Sequence, residues 1–365
     1  MSDGLDLSIV VPTFCERDNV LELIRRLEAC LEQSRWEVIF VDEDSPDGTA
    51  EIVREIARRD LRIRCLQRIG RRGLSSACIE GMLAVAAPVI AIMDGDLQHD
   101  ETRLPAMLEA LREQHADLVV GTRYAGGGSI AGWDASRAAM SRFATQLSRL
   151  IGTHDISDPM SGFFMLRREV LHDAVRNLSG LGFKILLDLL ASTKQPLVIV
   201  EVPYTFRERF AGESKLDSGV LWEFGMLLAD KLVGRYVPVR FVAFTLVGGV
   251  GVLIHLLVVA LLLNGVGIDF GVSQATATVV AMIFNYSVNN VLTYRDRRRR
   301  GFRWLTGLAS FVAACGVGAL ANVGIASYLF EHRTRWFLAA LAGILVGAVW
   351  NYAVTRRYTW GGRRR

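Results

Sequence analysis

The 365-residue chain has few cysteines, and they show no pairing pattern. Its five cysteines lie at irregular spacings without a C-x-x-C: Cys15, Cys30, Cys65, Cys78 and Cys315. This spacing argues against a disulfide framework and against a structural zinc site. We therefore expect reduced thiols and a cytosolic catalytic half.

Several familiar motifs are also missing. No G-x-G-x-x-G follows the first apolar run and no G-x-x-x-x-G-K-S/T occurs anywhere, which disfavours dinucleotide redox chemistry and P-loop hydrolysis. Residues 1–6 have no charged segment followed by an apolar core, so no cleaved signal peptide is expected. Aromatic and basic residues do not interleave as in RNA-binding proteins, so nucleic acid is not an expected partner.

What the chain does have is a large apolar fraction that is unevenly spread. Apolar residues make up 51% of the chain, and the net charge is only +4. The pattern predicts three regions: a globular domain at 1–216, an amphipathic interface helix or linker at 217–238, and a membrane domain at 239–365. Because arginines cluster near the apolar runs, anionic lipid headgroups are the expected partner of these charges.

Four strand-loop-helix units follow one another in the first half. Their apolar runs, residues 7–11, 36–41, 63–67 and 89–93, each end in a polar loop. Such repetition predicts a Rossmann-like, mostly parallel α/β sheet that binds ligands outside the carboxyl ends of its strands. The fourth loop holds Asp94, Asp96 and Gln98, whose oxygens suit a divalent cation with a phosphorylated substrate. A D-x-D pair alone is also typical of a solvated turn, but its place among polar strand ends favours a functional role.

Cationic side chains follow in the places where phosphates would bind. Arg123 comes at the carboxyl end of the next predicted strand, where a forked, charge-assisted contact with a phosphate is possible. Arg137 and Ser141 are one helical turn apart in a predicted helix over 133–151, so both can face one site. The polar segment 206–215 contains further cations and a glycine, which suits closure over phosphates. A plain surface position is the alternative for Arg123, Arg137 and Ser141.

Seven motifs of the first half occur in a familiar order. Over residues 7–216 the chain thereby resembles the family 2 glycosyltransferases of the GT-A fold, in particular the dolichol-phosphate mannose synthases. The motifs are V-V-P-T-F-C-E, V-D-E-D-S-P-D-G-T, R-R-G-L, D-G-D-L-Q-H, G-T-R-Y, D-P-M-S-G-F and R-F-A-G-E-S-K-L.

The resemblance implies a role for each matching position. The nucleotide-sugar pocket would comprise Pro12, Phe14, Glu16, Val41, Glu43, Met93, Asp94, Gly95 and Lys215. The metal ligands for Mg²⁺ or Mn²⁺ would be Asp96 and Gln98. The acceptor phosphate would lie against Arg123, Arg137, Ser141 and Arg209, and the catalytic set would be Asp94, Asp96, Arg123 and Arg209. Phe14 replaces the family's usual Tyr and Glu43 its usual Asp, departures that bear on nucleoside recognition and not on the metal ligands.

The reaction that the resemblance implies is inverting transfer of mannose from GDP-mannose to a polyprenyl (dolichyl-type) monophosphate. The attacking phosphate oxygen is already ionised near neutral pH, because the second pKa of a phosphate monoester is about 6. A general base is therefore unnecessary. His99 and His154 are given no role and are expected at the surface.

Four apolar segments make up the second half, at about 240–263, 270–292, 304–330 and 336–355, each long enough to span a bilayer. Six arginines in 295–303 and five from 356 onward predict a cell-membrane protein whose globular domain is cytoplasmic. The sequence F-N-Y-S-V at 284–288 recurs as W-N-Y-A-V at 350–354, which predicts two related hairpins joined through Asn285 and Asn351 rather than asparagines that bind lipid phosphate. This half resembles the GtrA-like four-helix domains and is the expected place of any homo-oligomer contact.

The sequence is compatible with other functions. A glucosyltransferase that uses UDP-glucose differs only in pocket details, although the G-W-D and D-P-M-S-G-F segments favour mannose. A translocase of lipid-linked sugar is an alternative from another class, but the interiors of the apolar segments contain no Asp, Glu, Lys or Arg to line a path, and His255 is their single histidine. A processive polymerase usually shows Q-x-x-R-W, which this chain does not contain.

Overall fold

The structure, a computed structural model, describes residues 4–124, 126, 129–130, 156–180, 182–207, 225–227, 229–231, 234, 237–332 and 336–361. It separates into two compact units, Met1–Leu232 and Val233–Arg365, and each is described by itself. The predicted helix over 133–151 and most of the predicted interface helix over 217–238 lie outside the described residues.

The first unit is built on a seven-stranded sheet. Its strands are β1 (Leu7–Thr13), β2 (Trp36–Asp42), β3 (Ile63–Gln67), β4 (Val89–Ile92), β5 (Leu118–Thr122), β7 (Phe164–Arg167) and β8 (Ile199–Pro203). They lie in the order β3-β2-β1-β4-β7-β5-β8. The short strands β6 (Ser129–Ile130) and β9 (Thr205–Phe206) pair with each other in parallel.

Helices cover both faces of this sheet. They are α1 (Arg17–Cys30), α2 (Thr49–Ala57), α3 (Leu74–Ala84), α4 (Leu104–Glu113), α5 (Arg168–Ala174) and α6 (Ile185–Leu190), with single 3₁₀ turns at Glu101–Arg103 and Val175–Asn177. Successive residues of a strand point to opposite faces, so Ile9 of β1 packs in one core with α1 and α4, whereas Val10 packs in a second core with α3. The predicted mostly parallel α/β architecture is confirmed.

One strand runs against the others. β7 pairs antiparallel with both β4 and β5, and Phe164 lies opposite Ile92 and Val120. The chain reaches β7 from the carboxyl edge of the sheet and must run back across it. Because β7 begins there, the turn before it, residues 158–163, lies between the carboxyl ends of β4 and β5. This places that turn beside the two strand ends at which Asp94 and Arg123 follow.

The second unit is helical. It contains α7 (Val239–Ala260), continued by a π-helical stretch (Leu261–Val266), α8 (Phe270–Val288), α9 (Phe302–Glu331) and α10 (Trp336–Val354). These helices coincide with the four predicted apolar segments. Within the described part of the chain, one helical segment, Val239–Val266, has both the length and the hydropathy needed to cross a bilayer.

The sequence repeat of the second half corresponds to a repeated packing arrangement. α7 packs mainly against α8, and α9 mainly against α10. The amide of Asn285 on α8 occupies the space that a side chain at Gly251 on α7 would need, and the amide of Asn351 on α10 does the same at Gly318 on α9. Each asparagine therefore contacts the partner helix of its own hairpin, as expected for a residue that joins helices.

Candidate active site

The turn after β4 places two carboxylates at the carboxyl edge of the sheet. Gly95 lies so close to the end of β1 that a Cβ there would be 3.1 Å from Thr13 Cγ2. Leu97 has a φ of 62°, which reverses the chain direction, and Asp96 Oδ1 accepts a hydrogen bond from the Gln98 N–H at 3.2 Å. Asp96 is 7% exposed, so its carboxylate is fixed and little screened by water.

His99 is buried beneath this turn, and the expectation of a surface position is wrong. Its side chain is 3% exposed, with Nε2 3.7 Å from Asp94 Oδ2. Nδ1 accepts a hydrogen bond from the Asp94 N–H at 3.0 Å, so a neutral ring carries its proton on Nε2. The ring also stacks on Phe163, with 5.3 Å between centroids. These contacts link the acidic turn to the turn before β7, and local sequence could not reveal them.

Burial keeps His99 uncharged. Removal from water lowers its pKa to about 4. The positive charge of Arg123 lowers the pKa further, whereas the negative charge of Asp96 partly raises it. The unfolded chain takes up a proton near pH 6.5, so the contribution of His99 to stability is complete above that pH and is lost as the pH falls towards 4. The slope is at most about 1.4 kcal/mol per pH unit.

We expect His99→Gln to flatten this pH dependence. The measurement is the thermal midpoint of the metal-free, nucleotide-free chain between pH 4.5 and 7, compared for the wild type and the variant. The carboxylates titrate in both proteins, so the difference between the two curves isolates the histidine. Identical slopes in this range would show that His99 is already protonated or exposed in the folded protein.

Arg123 is locked by a buried carboxylate. Its Nε and Nη2 donate to the two oxygens of Asp158 at 2.7 and 2.8 Å, and the two side chains are 8% and 0% exposed. Burial alone would lower the Arg123 pKa, but the hydrogen bond and the charge of Asp158 outweigh burial and raise it. The guanidinium is thus permanently charged and held in one orientation.

Lys184 approaches the same turn from the start of α6. Its Nζ donates to the Met160 carbonyl oxygen at 3.2 Å. Burial, and then the nearby charge of Arg123, lower its pKa to about 8, while Asp158 and Asp94 oppose the shift. Sequence reasoning assigned no role to Lys184 or Asp158. For Lys184, the only local indication in the sequence was its position as a single lysine directly before the largely apolar segment Ile185–Leu190.

The proposed nucleotide pocket lies at the ends of β1 and β2. Both oxygens of Glu43 accept from the Gly73 N–H at 3.1 Å, and Oε1 accepts from the buried Arg68 at 3.2 Å. Burial raises the Glu43 pKa, against the effect of these two partners. The guanidinium carbon of Arg72 lies 4.1 Å from the centre of the Phe14 ring. The pocket edge thus carries a carboxylate and a cation stacked on an aromatic ring.

The other residues assigned to this pocket are less accessible. The Glu16 side chain is buried and accepts from Asn19 Nδ2 at 2.6 Å. Pro12 and Val41 lie opposite each other in the β1–β2 register, and the side chains of Val41 and Met93 belong to the two cores. Val41 and Met93 can therefore offer a ligand only backbone atoms. Four assigned residues lie outside the described residues: Arg137, Ser141, Arg209 and Lys215.

Comparison with known proteins gives matches to both halves of the chain. The family model described as Glycosyl transferase family 2 matches residues 8–174, and the one described as GtrA/DPMS, transmembrane domain matches residues 243–360. A solved structure, glucosyl-3-phosphoglycerate synthase from Mycobacterium tuberculosis in complex with Mn²⁺, UDP and phosphoglyceric acid, is 20% identical. It covers 64% of this chain and 80% of that chain, with a TM-score of 0.45.

One curated relative matches the chain over nearly its whole length. A dolichol-phosphate mannosyltransferase from Pyrococcus furiosus is 32% identical over 98% of this chain and 99% of its own length. Proteins of the same name from Mycosarcoma maydis and Saccharomyces cerevisiae are each 36% identical. They cover 66% and 64% of this chain, and the matches span 84% and 89% of their own lengths.

Proposed function

Because the chain belongs to the dolichol-phosphate mannosyltransferase family of glycosyltransferases, we propose that it transfers mannose from GDP-mannose to a polyprenyl monophosphate. The transfer inverts the configuration at the sugar carbon and takes place at the cytoplasmic face of the membrane. One observation carries the proposal: a relative named for this transfer matches the chain over nearly the full length of both proteins.

The residues of the acidic turn fit a divalent cation. Asp96 and Gln98 offer a carboxylate and an amide oxygen, the hard ligands that Mg²⁺ and Mn²⁺ accept. No group of three or more acidic, histidine or cysteine side chains with metal-binding geometry occurs in the described part of the chain. This suits a cation that takes its remaining ligands from substrate phosphates and water. When bound, it would offset the charge that develops on the nucleoside diphosphate leaving group.

The chain's own cations would hold the acceptor. A phosphate oxygen of the acceptor attacks the sugar without a general base. The protein must therefore hold the acceptor phosphate close to the negatively charged diphosphate of the donor. Arg123 suits this task because Asp158 fixes the direction of its guanidinium. Lys184 adds a second cation behind the turn before β7. The neutral, buried His99 keeps Asp94 in place and needs no role in proton transfer.

The helical unit would keep the acceptor within reach. A polyprenyl chain lies in the bilayer and its phosphate at the surface, so an enzyme with a transmembrane domain meets the phosphate where it is presented. The arginine-rich segment 295–303 and the tail from 356 onward support a cytoplasmic location for these segments. If all four apolar segments cross the bilayer, the N-terminal domain would be cytoplasmic as well.

Donor choice tests the proposal. The purified chain is given polyprenyl phosphate and either labelled GDP-mannose or labelled UDP-glucose, and label in the organic phase is measured. We expect kcat/KM for GDP-mannose to exceed that for UDP-glucose by at least about 100-fold. A preference for UDP-glucose would make the chain a glucosyltransferase, and label entering the lipid from neither donor would contradict the proposed transfer.

A further inference from the structure

The segment that follows β9 is joined to the acidic turn by a reciprocal pair of hydrogen bonds. The Arg207 N–H donates to the Gln98 carbonyl oxygen at 2.9 Å, and Gln98 Nε2 donates to the Arg207 carbonyl oxygen at 3.0 Å. The two residues are 109 positions apart, so the bridge is a tertiary contact. It fixes which end of the Gln98 amide faces the Arg207 backbone, namely the nitrogen.

The side chain of Arg207 clamps this backbone onto two acids. Nη2 donates to Asp100 Oδ1 at 2.6 Å, and Nη1 donates to Glu101 Oε2 at 2.8 Å. The two acidic side chains are 11% and 6% exposed and the Arg207 side chain is 35% exposed, so the acids are largely shielded from water whereas the guanidinium is partly in contact with it. Asp100 is itself fixed, because its Oδ1 accepts from the backbone and hydroxyl of Thr102. A forked arginine that satisfies both acids has little freedom to move.

The orientation of the Gln98 amide decides whether it can serve as a metal ligand. Its oxygen is a suitable ligand for a divalent cation, whereas its nitrogen only donates hydrogen bonds. Because the nitrogen donates to the Arg207 carbonyl, the amide presents its oxygen as the coordinating atom. Residues that orient ligands in this way typically contribute about 10- to 100-fold to metal affinity.

We propose that Arg207 is a positioning residue for the divalent cation: by clamping Asp100 and Glu101 it holds the carbonyl that orients the Gln98 amide. This inference rests on the proposed function, since it takes Asp96 and Gln98 as the metal ligands. Arg207 also stands at the start of the segment that carries Arg209 and Lys215, which we assign to phosphates.

Binding of Mn²⁺ tests the inference without any turnover. Full-length protein in detergent with GDP is titrated with Mn²⁺, and bound metal is followed by electron paramagnetic resonance. We expect Arg207→Gln to raise the dissociation constant about 10-fold. Arg103→Gln is the matched control, because Arg103 Nε also pairs with Asp100, at 3.5 Å, but belongs to the turn Glu101–Arg103. The dissociation constant of the Arg103→Gln variant for Mn²⁺ should stay within about twofold of the wild-type value.

A double-mutant cycle with Gln98→Ala shows whether Arg207 acts through the amide. In the Gln98→Ala background, Arg207→Gln should weaken Mn²⁺ binding no further. An equal effect in both backgrounds, or binding by Arg207→Gln at wild-type strength, overturns the inference. If Gln98→Ala itself binds Mn²⁺ as the wild type does, the ligand assignment of the proposed function fails instead.

Thermal midpoints measured without metal show whether each variant folds. If Arg207→Gln does not fold, Glu101→Gln replaces it, because this substitution removes one of the two acids that hold Arg207.

Discussion

Turnover of the Asp96→Ala variant should fall by at least about 100-fold, the scale expected when one electrostatic partner of a transition state is lost. The carboxylate is nearly buried and is held by the Gln98 N–H, so it occupies a fixed position in the acidic turn. The measurement is the steady-state rate of mannose transfer to polyprenyl phosphate in detergent, at saturating donor and Mn²⁺.

Glu109→Ala is the matched control for this substitution. Glu109 is exposed on α4, so its removal changes the net charge equally without touching the acidic turn. We expect its rate to stay near that of the wild type. A rate near wild type for Asp96→Ala, in a variant with an unchanged thermal midpoint, would contradict the assignment of Asp96 to the metal.

Arg123→Ala should reduce turnover by a similar factor, about 100-fold or more. Its guanidinium is nearly buried and is oriented by two hydrogen bonds from Nε and Nη2 to Asp158. Removing it takes away a cation from the place where we propose that the acceptor phosphate binds. It also leaves the fully buried Asp158 without its partner, which costs about 3–5 kcal/mol of stability.

Asp158→Asn separates the two effects of losing Arg123. This variant breaks the same buried pair but keeps the cation, so it should lower the thermal midpoint as Arg123→Ala does while losing much less turnover. Added guanidinium at low millimolar concentration should restore part of the rate of Arg123→Ala and leave Asp158→Asn unchanged. Equal losses of turnover in the two variants, without rescue, would contradict a direct contact of Arg123 with the acceptor phosphate.

Strands with strong local patterns could be predicted from the sequence. β1, β2 and β4 are buried along their whole length, whereas the edge strand β3 is only partly buried. The observed ends of all four strands lie within two residues of the predicted ones. The antiparallel place of β7 could not be predicted, because four residues, Phe164–Arg167, carry no signal of strand direction. Its direction depends on where the preceding turn lies in the folded sheet.

In the candidate site, too, the features set by the local sequence could be predicted and the contacts between distant residues could not. The place of Asp94 and Asp96 at the carboxyl edge of the sheet could be predicted, because both follow directly after an apolar strand. The burial of His99 depends on Phe163, which lies far along the chain and reaches it only through the antiparallel strand β7. Arg207 was one cation among several in a polar loop, and only the structure shows that it bonds Asp100 and Glu101. Contacts between such distant residues leave no pattern in the local sequence.

Transfer by the purified full-length chain is the most direct measurement of the proposed activity. The protein is incubated with labelled GDP-mannose, Mn²⁺ and polyprenyl phosphate, and the lipid product is recovered and its anomeric configuration determined. We expect label in the organic phase as a polyprenyl-phosphate mannose with the configuration opposite to that of the donor, and none with Asp96→Ala. A folded wild-type chain that binds GDP but transfers no mannose to the lipid would contradict the proposed function.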